Sequence, residues 1–179
     1  MHTYISLLRG INVSGQKMIK MTELKALYES LRLTKVTTYI QSGNVVFQSK
    51  DSNRDSIAVS IEKAIEKSFR FPVTVVLRQP AELRKIIKKC PFLNTPSTDE
   101  GRLYVTFLKS KPAPSLVKAM AQSAGKSTDT YKISGNEIYL LCLNGYGKTL
   151  FSVGFFEKHL KIAATTRNWK TVNTLLAMS

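Results

Sequence analysis

Two stretches of the chain decide the fold class: TTYIQSGNVVF, which begins at Thr37, and DTYKISGNEIY, which begins at Asp129. They align without a gap, and five residues of the first recur 92 positions later in the second: Thr38, Tyr39, Ser42, Gly43 and Asn44. Gly and Asn adopt positive φ readily, so Ser42-Gly43-Asn44 predicts a tight hairpin turn between two short β-rich runs. The recurrence of the Thr-Tyr pair together with the turn predicts an internal duplication.

The segments around each hairpin follow the same order. In the first half, the apolar run TYISLL predicts a buried strand, and Leu24, Leu27, Tyr28 and Leu31 then form one apolar helix face. A second amphipathic helix and the strand FPVTVVLR follow the hairpin, which gives the order β-α-β-β-α-β. The second half repeats this order and adds a closing helix.

We therefore predict an α+β fold, a tandem duplication of two ferredoxin-like βαββα units with antiparallel sheets. The predicted bounds are 1–78 for the first unit, 79–100 for a linking helix and loop, and 101–179 for the second unit with its C-terminal helix. Pro80 opens the linking helix, since proline is favoured at the first helical position.

The composition excludes several classes of protein. A chain of 179 residues with 43% hydrophobic residues buries a proper core, and no apolar run is long enough to cross a membrane. The N-terminus, MHTYISLLRGINV, lacks the features of a signal peptide. Cys90 and Cys142 show no CxxC spacing, and we expect buried thiols in a reducing cytoplasm.

The net charge of +15 is the most unusual bulk property, and both halves of the chain are basic. Such a surface attracts polyanions, so nonspecific binding of nucleic acid is expected on electrostatics alone. A solvated cationic face without function is the other interpretation. We interpret RKIIKK, at residues 84–89, as the solvated side of an amphipathic helix.

A first candidate site follows from ferredoxin-like topology. The loop after the first strand and the turn of the first hairpin then lie at the same end of the sheet, so Arg9–Asn12 should lie near Ser42–Asn44. Together, Arg9, Asn12, Ser42 and Asn44 offer a guanidinium, two carboxamides and a hydroxyl, which suit a phosphate or carboxylate. The alternative is that Arg9 and Asn12 only tie the loop to the turn.

A second candidate site lies in TTRNWKT near the C-terminus. We place Arg167 and Asn168 at the start of the closing helix, 168–178, where a cation beside free helix N–H groups can hold an anion. In the alternative, Thr166 caps the helix, Trp169 packs into the core and Arg167 makes an internal ion pair.

Motifs for cofactors and metals are missing from the sequence. Neither histidine has the spacing of a metal pair, and no GxGxxG, GxxxxGK[ST] or GxSxG occurs. We predict no metal and no cofactor, and the sequence assigns no catalytic residue.

Four segments resemble, in this order, the DUF1697 family of bacterial proteins: YISLLRGINVSG, the helix from Met21 to Leu31, TYIQSGNVVF and TTRNWKTV. The resemblance implies a tandem α+β fold with ferredoxin-like halves and a bacterial cytosolic setting, but no activity. The motif positions of the family correspond to these residues: Arg9, Gly10, Asn12, Ser42, Gly43, Asn44, Arg167, Asn168 and Trp169. Ser14 and Lys170 depart from the family pattern.

Three functions remain open at this stage. The first is a site for a small anionic ligand at the Arg9–Asn12 loop and the Ser42–Asn44 turn, joined by Arg167 and Asn168. The second is a basic nucleic-acid-binding module, and the third is an assembly or interaction protein without chemistry; the sequence does not fix the oligomeric state. Because Ser134–Asn136 has no Arg-Gly-Ile-Asn loop beside it, we interpret the second hairpin as a structural turn.

Overall fold

The apolar patterns of the sequence form eight strands and six α-helices in the described residues, 1–93 and 98–179, of a computed structural model. Residues 94–97, near the end of the predicted linking segment 79–100, lie outside the described residues. By contacts, the chain divides into a first unit, Met1–Arg84 with Leu175–Ser179, and a second unit, Lys85–Thr174. No helix in the described ranges combines the length and apolarity that a membrane crossing requires.

The elements follow the predicted order in both halves. The first half contains β1 (His2–Leu8), α1 (Met21–Ser30), β2 (Thr34–Tyr39), β3 (Asn44–Ser49), α2 (Arg54–Phe69) and β4 (Val75–Arg78). The helix α3 (Pro80–Lys88) follows, with Pro80 as its first residue, as predicted. The second half contains β5 (Leu103–Leu108), α4 (Pro114–Ser123), β6 (Thr130–Ser134), β7 (Glu137–Leu141), α5 (Val153–Leu160), β8 (Ala164–Asn168) and α6 (Trp169–Ala177).

Each half forms one four-stranded antiparallel sheet, and the two strand orders correspond. The first sheet has the order β2-β3-β1-β4 and the second has the order β6-β7-β5-β8. The predicted α+β class with antiparallel sheets is confirmed. The first strand of each half is a central strand, and β2 and β6 lie at sheet edges.

The strand β1 is buried on both of its faces. Tyr4 and Leu8 join the core under α1 and α2, and Ser6 on the same face hydrogen-bonds the Tyr28 hydroxyl of α1 at 2.7 Å. Ile5 and Leu7 point to the second face and are also fully buried. This burial explains why the predicted strand is a continuous apolar run instead of an alternating one.

The two hairpins differ in their turns, which corrects one prediction. Asn44 lies in β3 opposite Tyr39, so the turn of the first hairpin is the four residues 40–43 instead of Ser42–Asn44. In the second hairpin Ser134 pairs with Glu137, and the turn is Gly135–Asn136 alone. The physical reason is that Asn44 is fully buried and its amide donates to the Tyr39 carbonyl at 3.1 Å, which continues the ladder by one pair.

The strand pairing therefore gives an alignment of the two hairpins that differs from the alignment of their sequences. Leu8 donates its N–H to the carbonyl of Gly43, and Leu108 donates its N–H to that of Asn136, both at 2.8 Å. In the structure Gly43 corresponds to Asn136, whereas the sequence motif aligns Gly43 with Gly135. The shared Thr-Tyr pair occupies different rungs, since Tyr39 adjoins its turn and Tyr131 pairs with Leu140.

Substitution of Gly43 tests how closely β1 packs on the first hairpin. Its φ is +74°, and a Cβ there would lie 2.7 Å from Leu8 Cβ and 2.8 Å from Ile11 Cδ1. We expect Gly43→Ala to lower the free energy of unfolding by roughly 3 kcal/mol, from backbone strain and overpacking together. Urea denaturation measures the change.

Gly135→Ala is the matched control in the second hairpin. Its φ of +63° gives the same backbone strain, but the nearest atom to a new Cβ is Glu137 Oε2 at 3.8 Å. We expect a loss of about 1 kcal/mol from strain alone. Equal losses at the two glycines would contradict the close packing of Leu8 and Ile11 on Gly43.

Candidate functional site

The loop after β1 and the turn of the first hairpin meet at one end of the first sheet, as the sequence predicts. The N–H of Leu8 bonds the Gly43 carbonyl at 2.8 Å, and Asn12 Nδ2 donates to the Gln41 carbonyl at 2.9 Å. Arg9 follows β1 directly and donates its backbone N–H to the Thr74 carbonyl at 2.9 Å. The predicted neighbourhood of the loop and the turn is therefore confirmed.

The carboxamides at this end make internal hydrogen bonds. Asn12 Nδ2 also donates to the Ile19 carbonyl at 2.9 Å, and Asn12 Oδ1 accepts from the Ile19 N–H at 2.8 Å. Asn44 is buried beneath the turn, while Arg9 is half-buried and Ser42 is exposed. Asn12 and Asn44 thus hold the backbone in place, and Asn44 is the one predicted group that is fully buried.

Left-handed backbone gives the loop after β1 its shape. Asn12, Ser14 and Lys17 have φ values of 54°, 50° and 47°, and Gly10 and Gly15 are also left-handed. Lys17 Nζ donates to the Pro72 carbonyl at 2.8 Å, which ties the loop to the segment before β4. Backbone strain of this kind persists only where other contacts compensate for it, and here the Asn12 and Lys17 side chains supply them.

Arg167 and Asn168 belong to the second unit; the predicted place of Arg167 is wrong, whereas Asn168 lies at the start of the closing helix, as predicted. Arg167 lies inside β8 opposite Val105, and Asn168 ends the strand opposite Tyr104. Asn168 caps α6, because its Oδ1 accepts the Thr171 N–H at 2.8 Å; Thr166 lies within the strand and does not cap the helix. The ladder to β5 extends β8 by two residues beyond the predicted strand, so Arg167 is not in a helix first turn.

The Arg167 guanidinium is buried and does not lie at the surface. Its Nη1 donates to Thr165 Oγ1 at 2.6 Å and to the Thr166 carbonyl at 2.9 Å. Burial lowers the pKa of Arg167 to about 10, so the side chain still carries its charge at neutral pH. Trp169 is buried, as the structural alternative predicts.

Arg78 occupies the corresponding position in the first sheet, which sequence reasoning missed. It pairs with Ile5, three residues before Leu8, just as Arg167 pairs with a residue three before Leu108. Arg78 is also buried, and its Nη1 donates to the Leu77 carbonyl at 2.9 Å. Each sheet therefore holds one buried arginine at the same register position, where a strand pattern normally places an apolar residue.

A cavity rich in lysine lies in the second unit, beside the hairpin that we interpreted as purely structural. We call it the lysine cavity; its volume is about 370 Å³, and it is lined by Lys88, Lys89, Cys90, Pro91, Lys132, Ser134 and Tyr139. None of these residues is acidic. Glu137 lies opposite Ser134 in the ladder but does not line the cavity.

Tyr139 explains how these lysines come together. Lys132 pairs directly with Tyr139 across β6 and β7, and the Tyr139 hydroxyl donates to the Ile86 carbonyl in α3 at 2.9 Å. This bond fixes the last turn of α3, and with it Lys88 and Lys89, against the second hairpin. The lysines of RKIIKK that we interpreted as a solvated helix side thus include two that line a cavity.

A protein-family model described as "Protein of unknown function (DUF1697)" matches residues 1–139. The chain belongs to the DUF1697 family. The matched range contains the Arg9 loop, the first hairpin and the lysine cavity, but the TTRNWKTV segment lies outside it.

The solved structure of a conserved bacterial protein from Streptococcus pneumoniae resembles the whole chain. The identity is 26%, the TM-score is 0.78, and the match covers 99% of this chain and 98% of the other. No curated protein matches the chain. The comparisons therefore give a family and a fold without a reaction.

The two cysteines of this DUF1697 member are buried free thiols, as predicted. Burial raises the pKa of the Cys90 thiol above its ordinary value, and burial also raises the pKa of Cys142. Both therefore remain protonated at neutral pH, which disfavours a role as nucleophile. Among the described residues, no group of three His, Cys, Asp or Glu side chains is placed to hold a metal ion.

A pair of glycine substitutions separates the hydrogen bonds of Asn12 from its backbone strain. Asn12→Gly accommodates the φ of 54° but removes three side-chain hydrogen bonds, and we expect the free energy of unfolding to fall by about 2 kcal/mol. Ser14→Gly, at a φ of 50° in the same loop, is the control and should change it by less than about 1 kcal/mol. Urea denaturation compares the two, and equal effects would contradict the structural role of the Asn12 amide.

Proposed function

We propose that the protein binds a small anionic ligand that carries phosphate or carboxylate groups, and that the lysine cavity is the site. The observation that carries this proposal is the convergence of Lys88, Lys89 and Lys132 from two separate elements on one cavity. Lysines that line one cavity all carry positive charge, and an anion bound there would be attracted to each of them. A volume of about 370 Å³ suits a small ligand.

The lining offers hydrogen-bond donors as well as charge. Lysine ammonium groups bind phosphate as point charges, and the Ser134 hydroxyl lies on the same face of β6 as Lys132. The buried Tyr139 also lines the cavity, and its hydroxyl already donates to the Ile86 carbonyl. We assign binding and no reaction to this site.

The sequence-predicted site at Arg9, Asn12, Ser42 and Asn44 remains the alternative location for the same ligand class, with Arg167 and Asn168 as its further predicted members. Arg9 supports it, because it is half-buried and follows β1 directly, at the end of the sheet where the turn lies. The internal bonds of the Asn12 and Asn44 amides favour the lysine cavity over it.

Nonspecific binding of nucleic acid is a second proposal, supported by the net charge of +15. The salt dependence of binding separates the two proposals. A protein that contacts many phosphates releases many counterions, and this release gains less free energy at higher salt, so binding to nucleic acid weakens steeply as salt is added. A single-stranded RNA oligonucleotide titrated over a range of salt is the probe.

We also propose that the halves arose by duplication of a ferredoxin-like unit and that the protein acts in the bacterial cytosol. The matching strand orders and the buried arginines at one register position support the duplication. The free thiols and the similarity to a bacterial protein support the setting.

Calorimetric titration with citrate and with inorganic pyrophosphate, at constant ionic strength, tests the anion site. We expect Lys132→Ala to weaken binding about tenfold, since one charge-assisted contact of roughly 1.4 kcal/mol is lost. Lys118→Ala, in α4 and outside the lysine cavity, is the control and should leave the affinity unchanged.

Arg9→Ala completes the design. A loss of affinity confined to Arg9→Ala would move the site to the first unit, and equal effects of all three variants would indicate attraction by net charge alone. If neither anion binds the unaltered protein, the proposal is wrong.

A further inference from the structure

Within residues 1–93 and 98–179, the strand β6 pairs along one side of its backbone and leaves the other side open. It is one of the two outer strands of the second sheet, the other being β8, and it pairs with β7. The two-residue turn closes on a hydrogen-bonded pair at Ser134 and Glu137, and alternation along an antiparallel ladder makes Lys132 and Tyr139 the next such pair. The N–H and C=O groups of Tyr131 and Ile133 therefore point to the open edge.

The corresponding outer strand of the first sheet, β2, is not equivalent to it. The register of β2 against β3 shifts between Thr34 and Thr37, and Lys35 within the shift has a φ of 50°. An irregularity of this kind twists an edge and makes it a poor template for a further strand. The register of β6 runs without interruption through all five of its residues.

A cavity lies on each face of β6. The apolar cavity, of about 340 Å³, is on the face toward α4 and is lined by Lys111, Pro112, Pro114, Val117, Lys118, Ala121, Ile133 and Gly135. The lysine cavity is on the other face, where Lys132 and Ser134 point. Successive positions along this edge thus adjoin an apolar cavity and a cationic cavity in turn.

We infer that β6 is a docking edge for an extended segment of another protein, in which apolar and acidic residues alternate. The segment adds a fifth strand to the second sheet through Tyr131 and Ile133. Its apolar side chains enter the apolar cavity and its carboxylates reach Lys88, Lys89 and Lys132. The acidic half of this inference rests on the proposed anion site, and it identifies the anion as a side chain of a partner.

Charge argues against a second copy of this chain as the occupant. Pairing β6 with another β6 would bring a second Lys132 to a face that already carries three lysines. A chain with a net charge of +15 also repels its own copies. An acidic segment meets neither obstacle, and complementarity of charge then favours its approach.

The test uses the full protein and the probe peptide Val-Glu-Val-Glu-Val-Glu-Val. The free amides of Tyr131 and Ile133 should exchange with solvent rapidly, whereas the Lys132 amide is already bonded within the ladder. We expect the peptide to slow exchange at Tyr131 and Ile133 at least tenfold and to leave Lys132 as it is. Nuclear magnetic resonance of the labelled protein reads each amide separately.

Peptides N-methylated on alternate residues decide whether the backbone pairs. Only one set of peptide N–H groups can face β6, so methylation of one set, all valines or all glutamates, should weaken binding at least tenfold and methylation of the other should not. Loss with the valines indicates an antiparallel strand and loss with the glutamates a parallel one. Equal effects of both sets, or of neither, overturn the inference.

Charge reversal tests the acidic face. Lys132→Glu should weaken binding of the Val-Glu peptide at least tenfold and strengthen binding of Val-Lys-Val-Lys-Val-Lys-Val; Lys35→Glu, on the irregular edge β2, is the matched control and should do neither. Identical effects of the two reversals overturn the inference. If citrate binds but alternate methylation has no effect, the docking edge is rejected and the anion site is retained. If the peptide pairs with β6 but citrate does not bind, the anion site is rejected and the docking edge is retained.

Discussion

Burial of the central strand on both faces is the constraint on which each sheet depends. In β1, Tyr4, Ser6 and Leu8 face the helices while Ile5 and Leu7 are buried on the second face, and both sides of the backbone are paired. Along these residues the strand has no position at which a polar side chain could be exposed to solvent. Polar side chains reach the surface at the ends of a sheet, as Arg9 does in part, or along an outer strand, as Lys132 does. The exceptions, Arg78 and Arg167, are buried cations that bond their own strands.

The sequence could predict the features that depend on local patterns. The order of strands and helices, the apolar run of β1 and the meeting of the Arg9 loop with the first hairpin all follow from periodicity and topology. The register of the strands could not be predicted from the sequence. Gly and Asn indicate that a turn exists, but they do not indicate how many residues it contains. Asn44 therefore looked like a turn residue although its burial draws it into β3. Arg167 was misplaced for a related reason: pairing with β5 extends β8, and no local signal shows a partner strand.

The lysine cavity shows what sequence reasoning cannot reach at all. Lys88 and Lys132 are far apart in the chain, and each alone is typical of a solvated surface. They become neighbours because the buried hydroxyl of Tyr139 bonds the end of α3, a contact between elements that no spacing rule describes. The sequence shows that Lys132 and Ser134 lie on one side of β6. It does not show that the end of α3 contacts that side and forms the cavity with them.

The first unit includes Leu175–Ser179, at the far end of the chain from the rest of it. Leu175 is buried, whereas Ala177 and Ser179 are exposed. During synthesis on a ribosome the first sheet emerges early, yet its unit lacks these residues until the entire second unit has been translated. By this division, the first unit is complete only once its last five residues have been translated. A truncation that removes Leu175 would therefore change the unit whose strands are made first.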